Sequence, residues 1–229
     1  MLNLAIRRGY WYATLTLIVL GTFALGACGR KPPPPLSAIV DAPLLRPGSS
    51  WTYRVQDTSW KEPQTITVTF EREDVYKNAA VLTFRSGSET VLYDRDLNFV
   101  AVARDGRVLR EASPSFRAFD FPFYVGKQWR SVFTFQDNDK GLSWTPVEMF
   151  WEAKEYDAVK VPAGEFRAFL LESRPSSSRP STNWGIKREL VWYAPEVKLP
   201  VKRRVERTAA HYLLGQGTES WELVQYILR

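Results

Sequence analysis

The chain has 229 residues, 45% hydrophobic and 24% charged, a makeup that suits a folded globular protein and excludes disordered and collagen-like chains. A single Cys excludes an intramolecular disulfide, and one Cys with one His excludes a zinc site of the His/Cys type; no metal or cofactor is expected. Thirty-one Lys and Arg against 25 Asp and Glu leave a formal charge of only +6, and nine Trp, ten Tyr and thirteen Phe fit a β-rich protein better than a nucleic-acid binder.

Arg7 and Arg8 precede an uncharged run from Gly9 to Ala27, the layout of a secretory signal, and the run closes on Leu25-Gly26-Ala27-Cys28. The competing reading is an uncleaved transmembrane anchor, since the run approaches the roughly 20 residues needed to span a bilayer. The small residues before the lone cysteine resemble the lipobox of bacterial lipoproteins. That resemblance implies cleavage between Ala27 and Cys28, a diacylglyceryl thioether on Cys28 and acylation of the new N-terminus. Two or three acyl chains anchor a protein durably where one holds it only marginally. Gly29, in place of Asp, implies sorting to the outer membrane, with the protein facing the periplasm. Residues 1–27 are thus read as signal peptide and 28–42 as lipidated Cys and linker, with Arg30-Lys31-Pro32-Pro33-Pro34-Pro35 forming a polyproline stalk. The stalk cations suit anionic headgroups.

Residues 43–229 are expected to form one all-β, antiparallel domain of about ten to twelve strands, as a curved sheet, half-barrel or sandwich. Ile66, Val68 and Phe70 alternate with threonines, and Val147, Met149 and Trp151 alternate with Glu148, Phe150 and Glu152, a period of two. Phe99, Ala101 and Ala103 lead into Asp105-Gly106, a two-residue hairpin signal. The stretch Ala112 to Phe119 is ambiguous, and Asp137-Asn138-Asp139-Lys140-Gly141 is read as a hairpin turn rather than a calcium loop. Alternation resumes from Val197 to Glu206, and two further strands flank Gly215-Gln216-Gly217. Gly48-Ser49-Ser50-Trp51 is echoed by Gly126-Lys127-Gln128-Trp129, and Val91-Leu92-Tyr93 by Val191-Trp192-Tyr193. These echoes suggest two related β-meander halves, about 45–110 and 121–229.

Candidate chemistry is sparse. His211 is the sole histidine and no Gly-x-Ser-x-Gly elbow exists, so nucleophilic catalysis has no visible machinery. The carboxylate pairs Glu71/Glu73, Asp94/Asp96 and Glu152/Glu172 would suit a glycan hydrolase only at a definite separation. Trp51, Trp129, Trp151, Trp192 and Trp221 read as core. Trp60, Trp144 and Trp184, beside loop signals, are candidates for an exposed ligand surface. Lys198, Lys202 and Arg204 share a strand face that could meet phosphates or an acidic polymer. Arg203 and Arg207 fall on the other face, with Val201 and Val205.

Three segments, Phe121 to Trp129, Val159 to Ala168 and Trp192 to Val197, resemble in this order a family of bacterial envelope proteins of unknown function. Their sheets curve like those of the lipoprotein carriers. The resemblance implies a fold and no catalytic residue. The expectation is a lipid-anchored, non-enzymatic envelope protein that binds a hydrophobic or glycan ligand or a partner protein. The alternatives are a structural accessory subunit of an envelope complex and a carboxylate-dependent cell-wall glycan hydrolase.

Overall fold

The computed structural model describes residues 39–176, 185–208 and 215–229, apart from the side chains of Trp144 and Thr145. Within them the chain forms twelve strands and no helix. The strands are β1 (Ser50–Asp57), β2 (Gln64–Tyr76), β3 (Ala79–Ser86), β4 (Glu89–Tyr93), β5 (Phe99–Arg104), β6 (Arg107–Phe116), β7 (Gln128–Asp137), β8 (Leu142–Val161), β9 (Gly164–Pro175), β10 (Ile186–Ala194), β11 (Leu199–Arg207) and β12 (Gly217–Ile227). Each pairs antiparallel with its sequence neighbours, and β1 pairs with β12 from Ser50↔Ile227 to Asp57↔Glu219. The sheet therefore closes into an up-and-down barrel. The expectation of an all-β, antiparallel domain of ten to twelve strands holds, while the expected curved sheet, half-barrel or sandwich is instead a closed barrel. Local alternation specifies strands, but only the pairing of the first strand with the last decides whether an edge remains.

The inward stripes are continuous and apolar. Trp51, Tyr53 and Val55 of β1 are buried, as are Trp129, Phe133 and Phe135 of β7, while Arg54 and Arg130 between them face out. Ala112 to Phe116 lies in β6, so the ambiguous stretch is extended. The turn at Asp105-Gly106 has φ of 51° and 76°, the left-handed pair that a two-residue hairpin needs. Asp137 Oδ1 accepts the amide of Lys140, making the Asp137–Gly141 segment a side-chain-braced turn.

The two Gly-x-x-Trp segments open β1 and β7 by the same pairing. Gly48 N–H donates to Phe70 O at 2.8 Å and Phe70 N–H to Ser49 O at 2.9 Å; Gly126 N–H donates to Ala153 O at 2.7 Å and Ala153 N–H to Lys127 O at 2.9 Å. Both glycines have φ near +90°, where any side chain is strained. Six strands follow each opening, but all twelve belong to one meander.

One end of the barrel is filled. The β6–β7 connection carries Phe119, Phe121 and Phe123 across it, and Phe123 sits against Trp129, Phe169 and Tyr193 at 6.1, 5.8 and 5.5 Å between ring centroids. Val40 pairs with Phe123 through two backbone hydrogen bonds, so the chain joins the barrel three residues before Pro43. The long β8–β9 hairpin curls under the same end, where Ala163 N–H donates to Leu223 O. Outside, the wall carries ion pairs such as Arg54–Glu222 and Lys202–Glu222. That is the opposite of the apolar band facing lipid in a membrane barrel. No described helix is long and apolar enough to cross a membrane.

Candidate functional site

Twelve strands enclose more room than inward side chains can fill in the narrower eight-stranded barrels. Here the aromatic plug occupies one end and leaves a cavity of about 480 Å³ in the lumen. Val68, Phe84, Val91, Phe99, Val102 and Phe135 line one side of it, and Val191, Leu199 and Trp221 the other. This volume is typical of a small-ligand site, and the wall is mostly apolar.

Three polar elements interrupt that wall. Arg203 of β11 projects inward, where Nε donates to Glu189 Oε1 at 2.6 Å and Nη1 to Glu219 Oε1 at 3.3 Å. About a third of its side chain is accessible, and that part borders the cavity. Burial works against its charge, but Glu189 and Glu219 outweigh it and raise the guanidinium above its ordinary value. Glu189, also on the cavity lining, is 2% exposed, its Oε2 without a hydrogen-bond partner among the described residues. Glu219 also accepts from the indole of Trp221 at 2.7 Å.

Tyr93 of β4 supplies the second element. Its ring stacks edge-on against Phe84 and Phe99, and it lines the cavity. Burial raises its hydroxyl above the ordinary phenol value and nearby Arg203 only partly offsets this, so the group is a neutral phenol. Tyr93 and Arg203 stand five strands apart around the ring and reach each other across the lumen. The third element is Glu89, ion-paired to Arg104 at 2.8 Å and Arg110 at 3.7 Å; Glu89 and Arg110 also line the cavity.

The side chains singled out from sequence do not converge on this lumen. Trp60 is partly buried beside the β1–β2 turn, its backbone amide donating to Asp57 O. Trp144 pairs through its backbone with Phe135, while its side chain, all of Trp184 and His211 lie outside the described residues. Lys198 sits in the β10–β11 turn and donates to Leu44 O at 2.7 Å. Lys202 borders the cavity, but its ammonium turns to Glu222 and lies 5.7 Å from the centroid of the Trp192 ring. Arg204 faces out and pairs with Glu206 at 3.5 Å. Trp192 is on this outer wall as well, only partly buried.

Five of the six paired acids are engaged in salt bridges or turns, whereas burial, with Asp94 beside it, raises the Asp96 carboxyl above its ordinary value. Glu71 binds Arg85, and Glu73 meets Arg95. Asp94 caps the β4–β5 turn by accepting from the amides of Asp96 and Asn98. Glu152 and Glu172 stand directly opposite each other across β8 and β9. Burial raises Glu172, yet hydrogen bonds from Arg174 and Arg188 outweigh it and hold the carboxyl below its usual range. A group so held is no reservoir for the proton a glycosidic leaving oxygen needs.

Among described residues, no cluster of His, Cys, Asp and Glu could hold a metal ion. The alternation did place Arg203 opposite the solvated face; what it could not show is that β4 and β10 supply Tyr93 and Glu189 to the same space.

Comparison with known proteins finds no matching family model and no similar curated protein. Among solved structures, the barrel is similar to a protein classed as a lipoprotein from Parabacteroides distasonis, at 11% identity and a TM-score of 0.41, over 82% of this chain and 99% of that one. It is similar to a protein classed as exported, with a YmcC-like fold, from Bacteroides fragilis, at 15% identity and a TM-score of 0.45 over 82% and 99%. The hypothetical lipoprotein YmcC from Escherichia coli matches at 12% identity and a TM-score of 0.38 over 79% and 85%. By their descriptions two of these are classed as lipoproteins and one as an exported protein.

Proposed function

We propose that the protein is a non-enzymatic, lipid-anchored envelope protein whose barrel lumen holds a small apolar ligand. The cavity of about 480 Å³ carries this reading, because its wall is built from inward side chains of strands on both sides of the ring. A closed wall keeps the lumen's shape with or without an occupant, so little ordering free energy is spent on binding. The anchor rests on Cys28 and the segment before it, and the proposed side is the periplasmic face of the outer membrane.

The full chain, extracted from its membranes and released from detergent in the gas phase, should appear by native mass spectrometry with a noncovalent adduct. Val91→Trp, which fills the lumen, should lose the adduct and keep the barrel's circular dichroism. A bare mass for the unsubstituted chain, or an adduct that survives in Val91→Trp, would sink the proposal.

A further inference from the structure

The donors that the lumen leaves uncommitted come from Arg203 and Tyr93, and its carboxylates, Glu189 and Glu89, are already ion-paired. Two of the guanidinium nitrogens of Arg203 are committed to Glu189 and Glu219, while its accessible edge borders the cavity. Tyr93, on the facing wall, has a hydroxyl with no hydrogen-bond partner among the described residues. The other tyrosine there, Tyr53, is already satisfied, donating to Pro200 O at 2.9 Å. Trp221 likewise spends its N–H on Glu219.

The charges set a second condition. With Glu189 and Glu219 both within hydrogen-bond distance of Arg203, one cation faces two carboxylates inside the wall. Lys202 and Arg110 on the same lining are paired as well, with Glu222 and Glu89, so a charged head would find no free counter-charge, in a setting where charge is weakly screened. An ammonium head would meet the like charge of Arg203, and the lining carboxylates Glu189 and Glu89 already hold arginines. A neutral head with an acceptor oxygen satisfies both donors and disturbs no pair.

We infer that the site takes an uncharged acyl ester or amide, its chain in the apolar lumen and its carbonyl oxygen accepting hydrogen bonds from Arg203 and Tyr93. This rests on the lumen being a ligand site at all, and the test separates the two claims. Chain-matched probes, namely methyl laurate, laurate, dodecylamine and dodecane, are titrated into the full acylated chain at neutral pH by calorimetry in one detergent.

The ester should bind at least tenfold tighter than the carboxylate and the amine. Tyr93→Phe keeps the ring contacts with Phe84 and Phe99, so it should cut ester affinity about three- to tenfold and leave dodecane unchanged. Equal or tighter binding of laurate or dodecylamine overturns the head-group assignment and leaves the lumen reading standing. Unaltered ester affinity in Tyr93→Phe removes Tyr93 from the site and overturns the two-donor assignment. Binding by none of the four probes overturns the lumen reading itself.

Discussion

Arg207 and Asp57 form the most deeply buried ion pair described, 2.7 Å apart with side chains 2% and 0% exposed. A buried pair is weak support for stability as a whole, but losing one partner strands the other. Asp57→Ala should therefore destabilise the barrel by about 3–5 kcal/mol, read from the denaturant midpoint at constant m-value. Burial pushes the Asp57 carboxyl up, and hydrogen bonds from Ser59 together with Arg207 outweigh it, so its folded value lies below 3.8. A depressed carboxyl contributes stability that is complete above the unfolded value and lost as pH falls through the folded one. Melting temperature should fall below about pH 4, and Asp57→Asn should flatten that part of the profile. Gly217 belongs to the same locus, since an added Cβ would press on Thr58 Oγ1 and come within 2.9 Å of Arg207 Nη2. Gly217→Ala should cost about 1–3 kcal/mol by chemical denaturation.

At the scale of elements, the β6–β7 connection behaves as core although it is irregular. Phe123 is fully buried among Trp129, Phe169 and Tyr193, and Val40 is hydrogen-bonded to its backbone. Phe123→Ala should lower stability by about 3–5 kcal/mol in an equilibrium urea titration. The strands around it were largely legible beforehand, because a half-buried strand writes its period of two into the chain. Val201 and Val205 set the face on which Arg203 and Arg207 fall, which is why an inward arginine could be seen before its partners could. The cavity was illegible for a different reason: Tyr93 and Arg203 lie 110 positions apart, and nothing local to either records that their strands face each other. Of the aromatic surface expected from Trp60, Trp144 and Trp184, only the Trp60 side chain falls among the described residues. Trp60 lies partly buried against the core.

For the whole molecule, the proposed anchor is expected to be separable from folding. Cys28→Ala should abolish incorporation of labelled palmitate and release the chain from the membrane fraction, with the barrel's melting temperature unchanged. Persistent labelling in that variant would mean that another residue carries the lipid. Glu172→Gln and Glu152→Gln should leave cell-wall glycan turnover at its original rate. Loss of turnover in either would favour a hydrolase over a binding protein.

The seam between β1 and β12 also governs how the chain comes into being. All eight residues of β1 find their β12 partners at least 162 positions away, so the last ladder to zip joins the two ends of the fold. Contacts of such long range slow folding, because the loop entropy is spent before the pairing returns it. Until β12 has been synthesised, β1 and β11 each present a bare edge able to recruit a strand from another copy. A chain stopped short of Gly217 is then not a smaller version of this protein but an open ribbon with two adhesive margins, prone to stacking with its neighbours.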